Sequence, residues 1–361
     1  IGSSQFIYIS PDNKYAYLPQ TRSNVANTAL LFDSTVFPVV NVVDLSKLHL
    51  SVPKRITLDT ADRPVNIPFS LAMSPDGKIL YVANAGSNDV SVIDLITNRN
   101  IAHINVGSNP RGIANTPDGS VIFVNNVLDG TLSVIDTDDL VVTQTVDLTD
   151  IPLPETILQG KKIFNSASEP LLTTDNWISC ATCHFDGMMD GRTWLGFPDG
   201  PRNTPSLLGV SRTLPIHWSG DLDELQDVEV TIREIQVGNG LINGEAHDTL
   251  GVAHAGMSSQ LDALASYLAV LEFPMSPQPV DGADLKLGRQ MFTSLGCERC
   301  HVPPIFTDRE LHEVGTGDKL LEKNRHGHGT RFDTPSLISV WMTAPYFHDG
   351  SAQTLEDVFR T

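Results

Sequence analysis

Cysteine is scarce in this chain, with four residues in 361, and all four fall into two short motifs. No thiol remains for a separate disulfide framework. Positive charge is also scarce: 24 Lys and Arg stand against 43 Asp and Glu, for a formal net charge of −19. That balance argues against nucleic acid or an anionic membrane as partner and suits a basic protein. Long apolar runs are absent, and the longest ones are far too short to span a bilayer. The chain starts at Ile1 rather than Met and shows no signal peptide. We expect a mature or trimmed chain whose targeting information lay upstream. A hydrophobic content of 40% suffices for ordinary cores, and the length suits two or three domains.

The cysteines occur as Cys180-Ala181-Thr182-Cys183-His184 and Cys297-Glu298-Arg299-Cys300-His301. Two Cys-x-x-Cys pairs are open to a structural zinc site, a redox dithiol or a disulfide pair. None of these requires a histidine directly after both pairs. With 11 His in the chain, two such placements by chance are about one in a thousand on composition alone. The pairs also lie too far apart for one zinc ribbon. Cys-x-x-Cys-His is the attachment signal of c-type haem. The thiols add to the porphyrin vinyl groups, and the histidine becomes the proximal iron ligand. The spacing therefore predicts two covalent haems, on Cys180, Cys183 and His184, and on Cys297, Cys300 and His301. Such attachment points to a compartment outside the cytoplasm.

Residues 1–150 repeat. Ser74-Pro75-Asp76-Gly77 leads into Ile79–Asn84 and then Val90–Asp94; Thr116-Pro117-Asp118-Gly119, Val121–Asn126 and Leu132–Asp136 follow about 42 residues later. An earlier copy reads Ser10-Pro11-Asp12-Asn13, Tyr15–Leu18 and Val40–Asp44. Turn residues between short β-branched and aromatic runs signal hairpins. This period, with about four strands, marks a propeller blade. The repeats resemble the YVTN-type β-propeller family, with Tyr81-Val82-Ala83-Asn84 in place of its namesake strand. About three blades are visible, and a closed propeller needs at least four. We therefore expect blades upstream of Ile1. The first repeat carries an insertion, Thr21 to Phe37. The propeller reads equally as a docking platform or as a spacer.

Pro152 and Pro154 mark the boundary of the second part. Helices are expected at 156–164, 261–271, 285–292 and 354–360, with a proline-rich linker from Phe273 to Pro279. The expected domains are 1–150 (propeller blades), 151–275 (first haem domain) and 276–361 (second haem domain, truncated at its C-terminus). The fold class is thus multidomain: a partial all-β propeller followed by two mostly α-helical cytochrome c-type domains.

Further motifs carry a second resemblance. Gly160–Phe164 precedes the first haem motif; Gly200-Pro201-Arg202-Asn203-Thr204-Pro205-Ser206-Leu207 and His217-Trp218-Ser219-Gly220 follow it. Gly288–Phe292 precedes the second motif; Thr334-Pro335-Ser336-Leu337 and Thr343–Ser351 follow it. In this order, over roughly 155–361, they resemble the bacterial dihaem cytochrome c peroxidases and the related methylamine-utilisation dihaem enzyme. The resemblance implies that Trp218 lies between the haems as an electron relay. It implies that Asn203 helps bind calcium, with backbone carbonyls near Asp333 and Pro335. It implies a distal histidine near position 195, where this chain has Leu195, a residue that cannot ligate iron. The first iron is then five-coordinate or capped by His217, Met188 or Met189. Peroxide cleavage calls for a carboxyl above the iron; Glu229 is the first choice and Glu234 the second, against a solvated acidic helix face. The sixth ligand of the second haem lies beyond Thr361 in relatives. His348 is expected to hydrogen-bond between the haems without a catalytic part, and His326 and His328 to be merely exposed.

The expected function is that of a periplasmic or cell-surface bacterial dihaem redox enzyme. Hydrogen peroxide would react at the first haem and a redox protein, such as a basic cytochrome or cupredoxin, would feed the second. The alternatives are long-range oxidation of a partner docked on the propeller and plain electron transfer.

Overall fold

The structure is a computed structural model, which describes residues 5–58, 63–168, 170–277, 282–323 and 327–360. His326 and the end of the proline-rich linker, from 278, lie outside the described residues. The chain divides into two compact units. One comprises Ile1–Asn24, Leu30–Thr182 and Ile232–Leu241; the other comprises Val25–Ala29, Cys183–Thr231 and Ile242–Thr361.

In the first unit each sequence repeat forms one antiparallel sheet. The first holds β1 (Tyr8–Ile9), β2 (Tyr15–Ser23), β3 (Val36–Asp44), β4 (His49–Leu50) and β5 (Ile56–Thr57). The second is the meander β6 (Pro68–Met73), β7 (Ile79–Asn84), β8 (Asp89–Asp94), β9 (Arg99–Asn105). The third is β10 (Pro110–Asn115), β11 (Val121–Asn126), β12 (Thr131–Asp136), β13 (Val141–Asp147). The repeated turn explains the repeated hairpin. In the second sheet the Ser74 hydroxyl donates to Asp76 at 2.7 Å, and the Lys78 amide donates to the same carboxylate at 3.1 Å. The Ile79 amide closes the turn on Ser74 Oγ at 2.9 Å. Thr116, Asp118 and Ser120, and Ser10, Asp12 and Lys14, repeat these bonds. The position after Asp needs a positive φ, which Gly77, Gly119 and Asn13 supply.

Alternation along β7 sends Leu80 and Val82 to one face and Tyr81 to the other. Leu80 and Val82 join Val40, Leu71 and Ile93 in one core cluster. Tyr81 joins Val92, Ile122, Val124 and Ile135 in a second. The middle sheet is therefore buried on both faces, as stacked blades require. The insertion is shorter than expected. Thr21 to Ser23 pair with Pro38 to Val36 and lengthen the hairpin, so only residues 24–35 leave the sheet.

Beyond the propeller, helices are α1 (Glu155–Asn165), α2 (Cys180–Cys183), α3 (Val228–Glu234), α4 (Ser259–Ala269), α5 (Ala283–Ser294) and α6 (Leu355–Val358). This is less helix than the mostly helical expectation. Segments dense in Gly, such as 186–209 and 237–257, run mostly as turns and loops instead. The α4 helix buries Leu261, Leu264 and Leu268 and is capped by Ser258. The last expected helix shrinks to the single turn of α6, capped reciprocally by Thr354 and Asp357.

The second unit contains an internal duplication that the sequence reading missed. The pair β14 (Thr193–Trp194) and β15 (Arg202–Asn203) has a counterpart in β16 (Leu311–His312) and β17 (Phe332–Asp333). A bridge from Ile216 to Leu222 recurs from Tyr346 to Ala352. The capping box of Glu224 and Asp227 recurs at Thr354 and Asp357. Several of these correspondences lie 130 residues apart (203 to 333, 216 to 346, 224 to 354).

Candidate functional site

The Cys180–Cys183 helix is one turn long, which puts its two thiols on one face at i and i+3. Ser179 and Thr182 brace it: the Ser179 amide donates to Thr182 Oγ1 at 3.0 Å. Cys180 accepts a hydrogen bond from Gln236 Nε2 at 3.5 Å, and burial pushes its thiol up to about 11. His184 lies 3.2 Å, through Nδ1, from the Met188 carbonyl. A carbonyl only accepts, so Nδ1 carries the proton and Nε2 is the nitrogen with a lone pair. Burial holds His184 down to about 4, which keeps the imidazole neutral, the form a metal ion takes as a ligand.

The second motif repeats this arrangement. Cys297–Arg299 forms a tight turn, and His301 Nδ1 donates to the Phe306 carbonyl at 3.1 Å. All four cysteines are free thiols and half-buried. Leu295 and Val302, which flank the motif, are exposed, as are Leu285, Leu287 and Met291 on α5. The residues fit covalent haem on three counts: paired thiols, an imidazole turned by a carbonyl to offer Nε2, and apolar surface for a porphyrin to cover.

The duplicated halves of the second unit meet at Asn203 and Asp333. The Asn203 amide donates to the His348 carbonyl at 2.5 Å, and the Asp333 amide donates to the Trp218 carbonyl at 2.9 Å. These two bonds relate equivalent positions, since 203 corresponds to 333 and 218 to 348. The Trp218 indole N–H donates to the Asn203 carbonyl at 2.8 Å. Asn203 Nδ2 donates to the Pro345 carbonyl at 2.5 Å, which leaves Asn203 Oδ1 buried without a donor. Asp333 Oδ1 is likewise buried and unpartnered. Burial, with the charges of Asp308 and Glu310, pushes the Asp333 carboxyl up to about 8. Two buried oxygens without donors, on residues whose backbones both bond to Trp218, are of the type that a hard cation such as calcium takes.

The other expected residues lie as follows. Glu229 is fully buried, and its Oε1 accepts the Ile242 amide at 3.1 Å; Glu234 is exposed. The acids of this stretch are thus not one solvated face. His217 is half-buried, holds Asp221 at 3.1 Å through Nδ1, and meets Phe197 edge-on at 5.7 Å. Burial works against its protonation and is the largest single influence, but the charge and hydrogen bond of Asp221, with the charge of Asp199, together outweigh it and the pKa is raised. Leu195 is exposed, and its amide donates to the Val25 carbonyl at 3.0 Å. His348 is buried, stacks on Phe332 at 3.8 Å and reaches Glu322 at 3.1 Å. His328 is not merely exposed: its Nδ1 donates to the Ser219 carbonyl at 2.6 Å, a bond that holds it half-buried.

One cluster carried no sequence signal. His254, fully buried, donates from Nδ1 to Asp227 at 2.7 Å and accepts the His247 amide on Nε2 at 3.0 Å. Its own amide is held by Glu224. Both ring nitrogens are satisfied within the protein, so the group fastens a loop. His254 comes 27 residues after Asp227 in an Ala- and Gly-rich stretch with no recognisable spacing.

Among the described residues no helix is long and apolar enough to cross a membrane. The Cytochrome D1 heme domain family matches residues 55–158. Methylamine utilization protein MauG of Methylorubrum extorquens is 28% identical over 245 residues, covering 57% of this chain and 67% of that protein. Cytochrome c551 peroxidase of Nitrosomonas europaea is 24% identical over 243 residues, covering 56% and 71%. Among solved structures, hydrazine synthase of Kuenenia stuttgartiensis is 26% identical with a TM-score of 0.32, covering 42% of this chain and 37% of that one. The match therefore spans well under two thirds of that solved chain. Over rather more than half its length, the chain is a homologue of MauG and of bacterial cytochrome c peroxidases, with a propeller-like part before it.

Proposed function

We propose that the chain is a bacterial dihaem c-type oxidoreductase of the periplasm or cell surface, with peroxidase-like activity. The observation that carries the reading is the shared geometry of the two motifs. Each histidine is held through Nδ1 by a carbonyl a few residues on, which makes Nε2 the nitrogen with a lone pair for a metal. The domains we assign are 1–150, the propeller blades, and 151–275 and 276–361, one for each haem.

When bound, the haems supply the iron sites and the electrons that, with two protons, convert hydrogen peroxide to two waters. The residues that would hold them are Cys180, Cys183, Cys297 and Cys300, through thioethers, with His184 and His301 as iron ligands. Trp218, its ring fixed by the bond to Asn203, is the aromatic side chain that would serve as a relay between the two groups. Glu229 is the carboxyl we assign to proton transfer; its burial keeps it out of bulk solvent. Asn203 and Asp333 are the residues that would hold one calcium ion. The acidic surface suits a basic electron donor.

Leu195, a side chain that cannot ligate iron, favours an open first iron over a plain electron carrier. Oxidation of a partner docked on the propeller is compatible with that open iron. The test is peroxide turnover with a reduced basic cytochrome or cupredoxin as donor, alongside the ferric spectrum. Turnover with a high-spin component supports the reading. Two purely low-spin haems and no turnover would assign a carrier.

A further inference from the structure

One buried side chain of the first unit grips the segment that leads into the first motif. Asn66, just before β6, is 1% exposed. Its Nδ2 donates to the Trp177 carbonyl at 2.9 Å and to Thr182 Oγ1 at 3.0 Å. Its Oδ1 accepts the Ser179 hydroxyl at 3.0 Å. Ser179 and Thr182 are the residues that brace the helix bearing the thiols. A single amide thus ties three points across a six-residue stretch around Cys180.

Asn66 is itself fixed by the second sheet. Its amide donates to Ser87 Oγ at 3.1 Å, and its carbonyl accepts the Gly86 amide at 2.9 Å. Ser87 donates to Asp89 at 3.0 Å, and Arg63 pairs with Asp89 at 3.0 Å. A Cβ at Gly86 would collide with Asn66 Oδ1, so the clamp requires glycine there. Trp177, 2% exposed, is backed by Phe32 edge-on at 6.4 Å.

We infer that Asn66 is a positioning residue for the first haem, and that the propeller forms part of that haem's seat rather than only a spacer or a docking platform. The inference rests on the haem reading above. The physical argument is short. Losing the amide strands buried donors and acceptors on Trp177, Ser179 and Thr182, so the segment must shift to satisfy them. The shift carries the Cys180–Cys183 helix and the His184 that follows it. The bond from His184 Nδ1 to a carbonyl tunes the basicity of Nε2, and through it the potential of the iron it would bind.

The experiment is a spectroelectrochemical titration of the haem-loaded protein that resolves both midpoints, with resonance Raman of the ferrous iron–histidine vibration. Asn66→Asp keeps the shape but sets an acceptor against the Trp177 carbonyl. Ser179→Ala removes one hydroxyl and decides the matter alone should Asn66→Asp not fold. Asn126→Ala is the control: Asn126 is equally buried, but it donates to Thr131 and Ser133 within its own sheet. The expected result is a shift of the first midpoint and vibration in the Asn66 and Ser179 variants, with the second midpoint unmoved. Asn126→Ala should lower the melting temperature and move neither midpoint. Wild-type first-haem signatures in the Asn66 and Ser179 variants would overturn the inference. An equal shift in Asn126→Ala would also overturn it, since the effect would then be general loss of stability. A wild-type protein without covalent haem would instead overturn the haem reading, and the inference with it.

Discussion

The indole N–H of Trp218 donates to the backbone carbonyl of Asn203 at 2.8 Å, and the Trp218 carbonyl accepts the amide of Asp333. Trp218 is therefore held from both halves of the duplicated unit, at the point where those halves exchange hydrogen bonds.

Trp218→Phe should keep the fold and both haems, because phenylalanine fills much of the same space. Loss of the bond to Asn203 should cost about 1 kcal/mol. Electron transfer between the haems should slow, read by stopped flow as delayed re-reduction of the peroxide-oxidised first haem. Unchanged rates would remove the relay role from Trp218.

Calcium content should follow Asn203 and Asp333. Elemental analysis of the dialysed protein should find about one calcium per chain, in the oxygen-rich type of site that Asn203 Oδ1 and Asp333 Oδ1 fit. Asn203→Ala and Asp333→Asn should each lower that content, while Asp76→Asn, in a surface turn, should leave it intact. Retention of calcium by both site variants would place the ion elsewhere.

The ferric protein should show a high-spin component, since Leu195 offers the first iron no ligand. Electron paramagnetic resonance separates the cases. A wholly low-spin spectrum would mean that His217, Met188 or Met189 caps the iron.

Asn126→Ala should destabilise the propeller by about 1–3 kcal/mol, because Thr131 and Ser133 lose their buried donor. The check is chemical denaturation followed in the far ultraviolet. A change within a few tenths of a kcal/mol would show that the asparagine is not needed inside its sheet.

The blades were legible because their turns are written in side chains. Ser or Thr, Pro, Asp and Gly recur with the same local bonds, and local bonds leave a sequence signature. The ends of the first hairpin were not legible. Thr21-Arg22-Ser23 has no strand character, and only pairing with Val36 to Pro38 makes it a strand. The two Cys-x-x-Cys-His motifs are likewise local patterns, written within five residues each. The duplication was legible in part, since Thr204-Pro205-Ser206-Leu207 returns 130 residues later as Thr334-Pro335-Ser336-Leu337, but key residues around it diverge: Asn203 corresponds to Asp333 and Trp218 to His348. His217 and Phe347 share a φ of 67° without sharing a side chain. Asn66 was unreadable because its partners lie 111 to 116 residues away.

The most direct measurement is a haem count: a pyridine haemochrome assay set against protein concentration, with the intact mass of the denatured chain. The account predicts two covalent haems per chain and their mass on the polypeptide. Replacing Cys180 and Cys183 together by alanine should reduce the count to one. Bound zinc with no covalent haem would contradict the account at its centre.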